Sequence, residues 1–257
     1  MLKLYDLVEL PSKGVTYKNI APIARVNFLT TRDELLLNSP EIINNNLVLE
    51  TVLERALEPE LFQQINYFDA ESILFYLWVL SYGFDLDFNL DGEIETVDLS
   101  LVKHQKSNLY NINSNGNFDI YIGNDKYEFT PVTFYHYKSL LHDKKSSDIN
   151  LLKTTLVNHD SSVIDDLEYT DYNKLLNAFK SSYNKLSMEF KTNKGTLINI
   201  NPTEHLFKYS ELFINNLLKE VFKIVDVFGI SYEAVMDMTI FERRKLVEYL
   251  MEKNNED

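Results

Sequence analysis

Apolar residues recur along this chain in two rhythms, one near 3.6 residues and one of two, and each predicts a different element. The densest helical stretch is "FDAESILFYLWVLSYG". Asp69 is placed to cap its start and Gly83 to end it, and between them apolar residues fall on nearly every face, as in a helix buried all round. Trp78, the single tryptophan, then reads as a core residue. Upstream, "IARVNFLTT" (Ile23 to Thr31) is rich in β-formers and predicts a strand. "TRDELLLNSP" follows as a short helix, with Thr31 and Glu34 at capping-box spacing and Pro40 forbidding continuation. "PEIINNNLVLETVLERAL" continues as a second helix through Ile43, Leu47, Val48, Val52 and Leu53.

After Gly83 the period falls to two. Phe84, Leu86, Phe88 and Leu90 alternate with Asp85, Asp87 and Asn89, and Asp91-Gly92 is a turn signal, so "FDLDFNLDGEIETVDL" predicts a hairpin with one wet, acidic face. A two-residue loop pairs Phe88 with Glu95 and Leu90 with Glu93, while a three-residue loop pairs Leu90 with Ile94 and Phe88 with Thr96. The longer loop is the expected one. A second hairpin runs from "FDIYIG" to "KYEFTPV", and the two together predict a small antiparallel sheet of about four strands.

From Thr133 onward the pattern is almost wholly helical. Tyr172, Leu176, Phe179, Tyr183, Leu186 and Phe190 form a seam at spacings of four and three, too short for a free coiled coil and so expected to pack inside the protein. "NKGTLININ" reads as a turn and short strand, Thr203 opens a long helix stopped by Gly229, Ser231 starts another, and Thr239 with Glu242 repeats the capping-box spacing. The expected fold is α+β: mainly helical, with a small antiparallel β-hairpin insert and an extended N-terminal arm. Its parts are an arm and strand over 1–30, a helical region over 31–83, the β insert over 84–132 and a helical C-terminal region over 133–257.

Composition narrows the chemistry. At 257 residues and 45% hydrophobic content the chain can bury a substantial core. It has no cysteine, which removes disulfides, thiolate zinc sites and thiol nucleophiles together. The formal charge of −14 repels phosphate backbones and anionic lipids, and the short basic runs "HDKK" and "ERRK" are flanked by acids, so neither nucleic acid nor a membrane is an expected partner. "MLKLYDLVEL" lacks a signal peptide's pattern and no window is apolar enough to span a bilayer, which predicts a soluble protein that is not secreted.

Specific motifs fail one by one. An EF-hand starting at Asp85 would place Leu90 where Gly is needed and Thr96 where Glu is needed. The closest histidines, His136 and His142, are six apart rather than three or four, so no metal and no cofactor are expected. No "GxSxG" elbow marks a nucleophile. Paired carboxylates remain open among the 39 acids, which keeps an acidic-site hydrolase as an alternative to the non-enzymatic reading.

One segment stands apart. "ELPSKGVTYKN" puts Lys13 before a single glycine and a strand after it, the reverse of a phosphate loop, and instead predicts a turn with Pro11 at its corner and Gly14 supplying a positive φ. This opening "LPSKG" with Tyr17, the "LTTRDELLLNSP" soon after, the β-rich insert closing on "VDLS" and the final "TIFERRKLV" resemble the T-even-type phage baseplate hub assembly family. The resemblance implies a tail-assembly protein of a contractile phage, either a baseplate-hub component or a chaperone for the hub and tape measure, working in the host cytoplasm. A permanent structural place in the virion tail or capsid is the other alternative. Where relatives carry cysteine pairs consistent with a zinc knuckle, "FNLDGEIETVDL" has none, and plain hairpin pairing takes the metal's place. On this reading Leu10, Pro11, Ser12, Lys13, Gly14 and Tyr17 form the partner-binding segment: Leu10, Pro11 and Tyr17 as anchors, Lys13 pairing with an acid and Gly14 setting the turn.

Overall fold

The computed structural model describes residues 4–14, 17, 22–101, 112, 113, 115–136, 148–182, 188–207 and 211–255. The chain opens with an antiparallel hairpin, β1 (Tyr5–Glu9) against β2 (Ile23–Asn27), with Tyr5 opposite Asn27 and Leu7 opposite Arg25. The expected extended arm is therefore a paired strand, because the backbone donors and acceptors of residues 5–9 find partners along residues 23–27.

α1 (Thr31–Leu37) is capped one residue earlier than its sequence suggests. Thr30 Oγ1 accepts from the Asp33 N–H (3.2 Å) while the Asp33 carboxylate accepts from the Thr30 N–H (3.0 Å). Thr31 is not free to cap, since its own N–H donates to the Met238 carbonyl (2.8 Å). Glu34 is thereby released from capping and lies fully buried. The expected second helix is two, α2 (Pro40–Asn44) and α3 (Val48–Ala56), broken where Asn46 takes a left-handed φ of 55°, a conformation asparagine tolerates better than most residues. α4 (Pro59–Gln64) leads into α5 (Tyr67–Tyr82), no residue of which is exposed and which Gly83 ends at φ 89°. Its cap is Asn66 rather than Asp69, whose side chain turns inward instead.

β3 (Asp85–Leu90) and β4 (Glu93–Asp98) pair through the shorter of the two loops considered, Leu90 opposite Glu93 and Phe88 opposite Glu95. Asp91 and Gly92 both adopt positive φ, 53° and 88°, the signature of a two-residue turn whose twist matches the strands. That register turns Ile94 outward and Glu95 inward, and the buried acid is met by the Thr192 hydroxyl, which donates to it at 2.5 Å. β5 (Phe118–Ile122) and β6 (Asp125–Phe129) pair with each other in a sheet separate from β3 and β4, so the expected four-stranded sheet is two separate hairpins. β8 (Leu197–Ile200) is the short strand expected in "NKGTLININ"; it pairs with an unexpected β7 (Met188–Lys191), and this hairpin joins β4 by a bridge between Val97 and Thr192.

α6 (Asp148–Thr155) and α7 (Tyr169–Ser182) pack on β5 and β6, with Leu175 and Phe179 fully buried. The seam packs internally there, but Phe190 belongs to β7, and Tyr183 and Leu186 lie outside the described residues. The long helix expected from Thr203 is interrupted: α8 (Pro202–His205) stops before Phe207, which has a φ of 53°, and α9 runs over Glu211–Phe228. α10 (Tyr232–Asp237) carries its Ser231 cap, and α11 (Ile240–Asn255) begins at the reciprocal Thr239 and Glu242 bonds that the spacing predicts.

Among the described residues three apolar clusters hold these elements. The largest surrounds α5 and takes in β2, α1, α3, α4 and the β3–β4 and β7–β8 hairpins, with Trp78 packed at its margin against Tyr82 and Phe207. The second joins β5 and β6 to α6 and α7, and the third joins α9, α10 and α11. The architecture is mainly helical α+β with small antiparallel two-stranded sheets.

Candidate partner-recognition site

The segment singled out by sequence is a folded turn. Leu10 donates to the Pro22 carbonyl (2.8 Å) and accepts from the Lys13 N–H (2.8 Å), so hairpin pairing passes directly into the turn. Lys13 and Gly14 both take left-handed φ, 53° and 73°, which is the backbone the glycine is needed for. The turn is fastened to α5 through Asp69. Its carboxylate accepts from the Ser12 N–H (2.9 Å), the Ser12 hydroxyl (2.5 Å), the Tyr17 hydroxyl (2.5 Å) and the Asn66 amide (3.0 Å). Tyr17 in turn accepts from the Asn66 N–H (3.1 Å). Burial pushes the Asp69 carboxyl above the ordinary aspartate range, and the bonds from Ser12, Tyr17 and Asn66 oppose that rise.

This geometry redistributes the expected roles. Leu10, Ser12 and Gly14 are buried, Tyr17 and Pro11 are half-buried, and Lys13 is exposed. Leu10 packs in the chain's own core and Tyr17 gives its hydroxyl to Asp69, so both of these expected anchors hold the turn to its own framework. Asp69 itself was missed as a site residue, although the signal was present: a buried acid in a largely apolar helix is costly unless something donates to it.

The hairpin that the turn fixes has unlike faces. Ala24 and Val26 point into the core at 2% and 0% exposure, while Tyr5, Leu7 and Ile23 share the opposite face at 51%, 62% and 51%. The Arg25 guanidinium lies 4.0 Å from the centre of the Tyr5 ring on that same face. A second fastening comes from Tyr76 on α5, whose hydroxyl donates to the Asp6 carboxylate. That bond holds the Asp6 carboxyl below its usual range, and burial pushes the Tyr76 hydroxyl up. The apolar outer face is thus carried on a hairpin fixed at Asp6 and at Ser12.

The C-terminal helices close on the same framework by other means. Glu34, fully buried, pairs with Arg243 at 2.7 Å and accepts from the Tyr82 hydroxyl at 2.6 Å, tying α1, α5 and α11 together. Glu220 lies 3.5 Å from Arg243, its carboxyl raised chiefly by burial. Between the start of β1, α1, the end of α3 and the α10–α11 corner is a cleft of about 520 Å³. Among the described residues no group of three or more acids or histidines is placed to hold a metal ion, and no helix is long and apolar enough to cross a membrane. Comparison of the chain with protein-family models, with curated proteins and with solved structures finds no match.

Proposed function

We propose that this chain is a non-enzymatic assembly protein of a contractile phage tail, a baseplate-hub component or a chaperone for hub and tape measure, acting by protein–protein recognition in the host cytoplasm. The observation that carries this reading is the outer face of the N-terminal hairpin. Apolar side chains held in water are a standing cost unless a partner covers them, and Tyr5, Leu7, Ile23 and Arg25 have the aromatic, aliphatic and arginine character of an interface centre. The neighbouring "LPSKG" and Tyr17 support the reading through the family resemblance and through their mechanical role. By locking the hairpin to Asp69 they present the face in one orientation, which lowers the ordering cost of binding.

The test is co-expression with the baseplate-hub and tape-measure proteins of the same genome, followed by co-purification. Retention of at least one of them is expected, and retention of none would remove the proposal. Mass spectrometry of purified particles then separates the two roles: a hub component stays in the mature virion, and a chaperone is missing from it.

A further inference from the structure

The cleft beside the hairpin has its own chemistry. Its apolar walls are Leu4, Phe28 and Met238, and its rim carries two arginines, Arg32 and Arg55. Arg32 is committed, with one Nη donating to Glu233 at 2.6 Å and to Asp237 at 3.2 Å. Arg55 is not: its Nε sits 3.7 Å from Asp33, and among the described residues neither Nη has a partner. The acids that line the cleft are already engaged. Asp33 and Glu242 accept from the threonine and backbone groups at the starts of α1 and α11, and Asp237 accepts from Arg32.

We infer that this cleft binds an extended peptide segment of a partner through a single carboxylate seated on the Arg55 fork, with the adjoining bulky apolar side chain between Leu4, Phe28 and Met238. A guanidinium with both Nη groups free matches a carboxylate in a planar, two-bond geometry, and such charge-assisted pairs are among the stronger polar contacts. The −14 charge of the whole chain limits the ligand to one acid rather than an acidic run, because each further carboxylate meets the general field without a second free cation among the described residues that line the cleft. Leu4 immediately precedes β1, so the cleft continues the hairpin end, and the bound segment belongs to the same partner. The inference rests on the recognition reading for that setting alone.

The experiment screens the full-length protein, fluorescently labelled, against bead-bound random dodecapeptides, one arm with free C termini and one with amidated C termini. Selected peptides are expected to place a carboxylate next to Leu, Met or Phe, and the two arms decide whether a side chain or a chain terminus supplies it. For the best peptide, Arg55→Met should weaken binding by about tenfold or more, and Arg55→Lys, which keeps the charge without the fork, by less. Leu4→Ser, at an exposed wall position, should weaken it without touching the arginine. Selection of no peptide, selection without an acid, or an unchanged affinity in Arg55→Met overturns the inference. Random peptides carry no tail sequence, so failure here leaves co-purification with tail proteins unaffected, and failure to co-purify leaves this site standing.

Discussion

Asp69 and Glu34 are both fully buried carboxylates, and each fastens one end of the chain to the framework around α5, yet they are satisfied differently. Asp69 draws on neutral donors from Ser12, Tyr17 and Asn66. Glu34 draws on the Arg243 guanidinium and the Tyr82 hydroxyl. Neutral donors share the load, so the N-terminal fastening can lose a partner and weaken by degrees. A buried ion pair has no such latitude, because losing one charge strands the other in a medium that solvates it poorly. The C-terminal fastening is expected to be stiff, and the N-terminal one adjustable.

The largest effect should come from breaking the ion pair. Arg243→Met is expected to cost about 3–5 kcal/mol in urea unfolding, and adding Glu34→Gln should recover much of it, because the stranded charge is gone. A cost under about 1 kcal/mol would remove the contrast between the two fastenings. Next comes Asp69→Ala, which leaves the Ser12 and Tyr17 donors facing an apolar helix, at about 1–3 kcal/mol. Hydrogen exchange should localise that loss, accelerating in residues 5–9 and 23–27 while α9 and α11 keep their protection.

A pH titration sharpens the same contrast. Burial holds the Asp69 carboxyl above the ordinary aspartate value of about 4, so the folded chain binds that proton more tightly than the unfolded chain does. Its contribution to stability is therefore greatest below about pH 4 and declines as pH rises through the folded pKa. The stability difference between the native chain and Asp69→Asn, measured by urea unfolding at each pH, should shrink over that window; a difference that grows with pH would show that the donors outweigh burial. Gly14→Ala should cost roughly 1 kcal/mol by forcing a side chain into a left-handed backbone.

Sequence and structure part company where long-range contacts decide. Helices with local signals were legible: Gly83 and Gly229 end α5 and α9, Ser231 caps α10, and Thr239 with Glu242 caps α11. Thr30 displaced Thr31 as the α1 cap because residues more than 200 positions away occupy the Thr31 N–H, which no local spacing reveals. The β3–β4 register went the same way. Its two-residue turn turns Glu95 inward, and that acid is met by Thr192 from a distant hairpin. For the site, the positive φ of Gly14 was readable, whereas the burial of Leu10 and the link from Ser12 to Asp69 were not, since the same short motif serves equally well as a free arm or as a clasp.

The smallest expected effect on the fold, and the largest on binding, belongs to the outer face of the hairpin. Tyr5→Asp with Leu7→Asp should leave unfolding free energy within about 1 kcal/mol of the native value, since both positions face water. The measurement that decides is calorimetric titration of the co-purifying tail protein with the native chain and with this double variant. The variant is expected to bind at least about 30-fold more weakly while remaining folded. Equal affinity would show that the apolar face of the N-terminal hairpin is not where the partner is recognised.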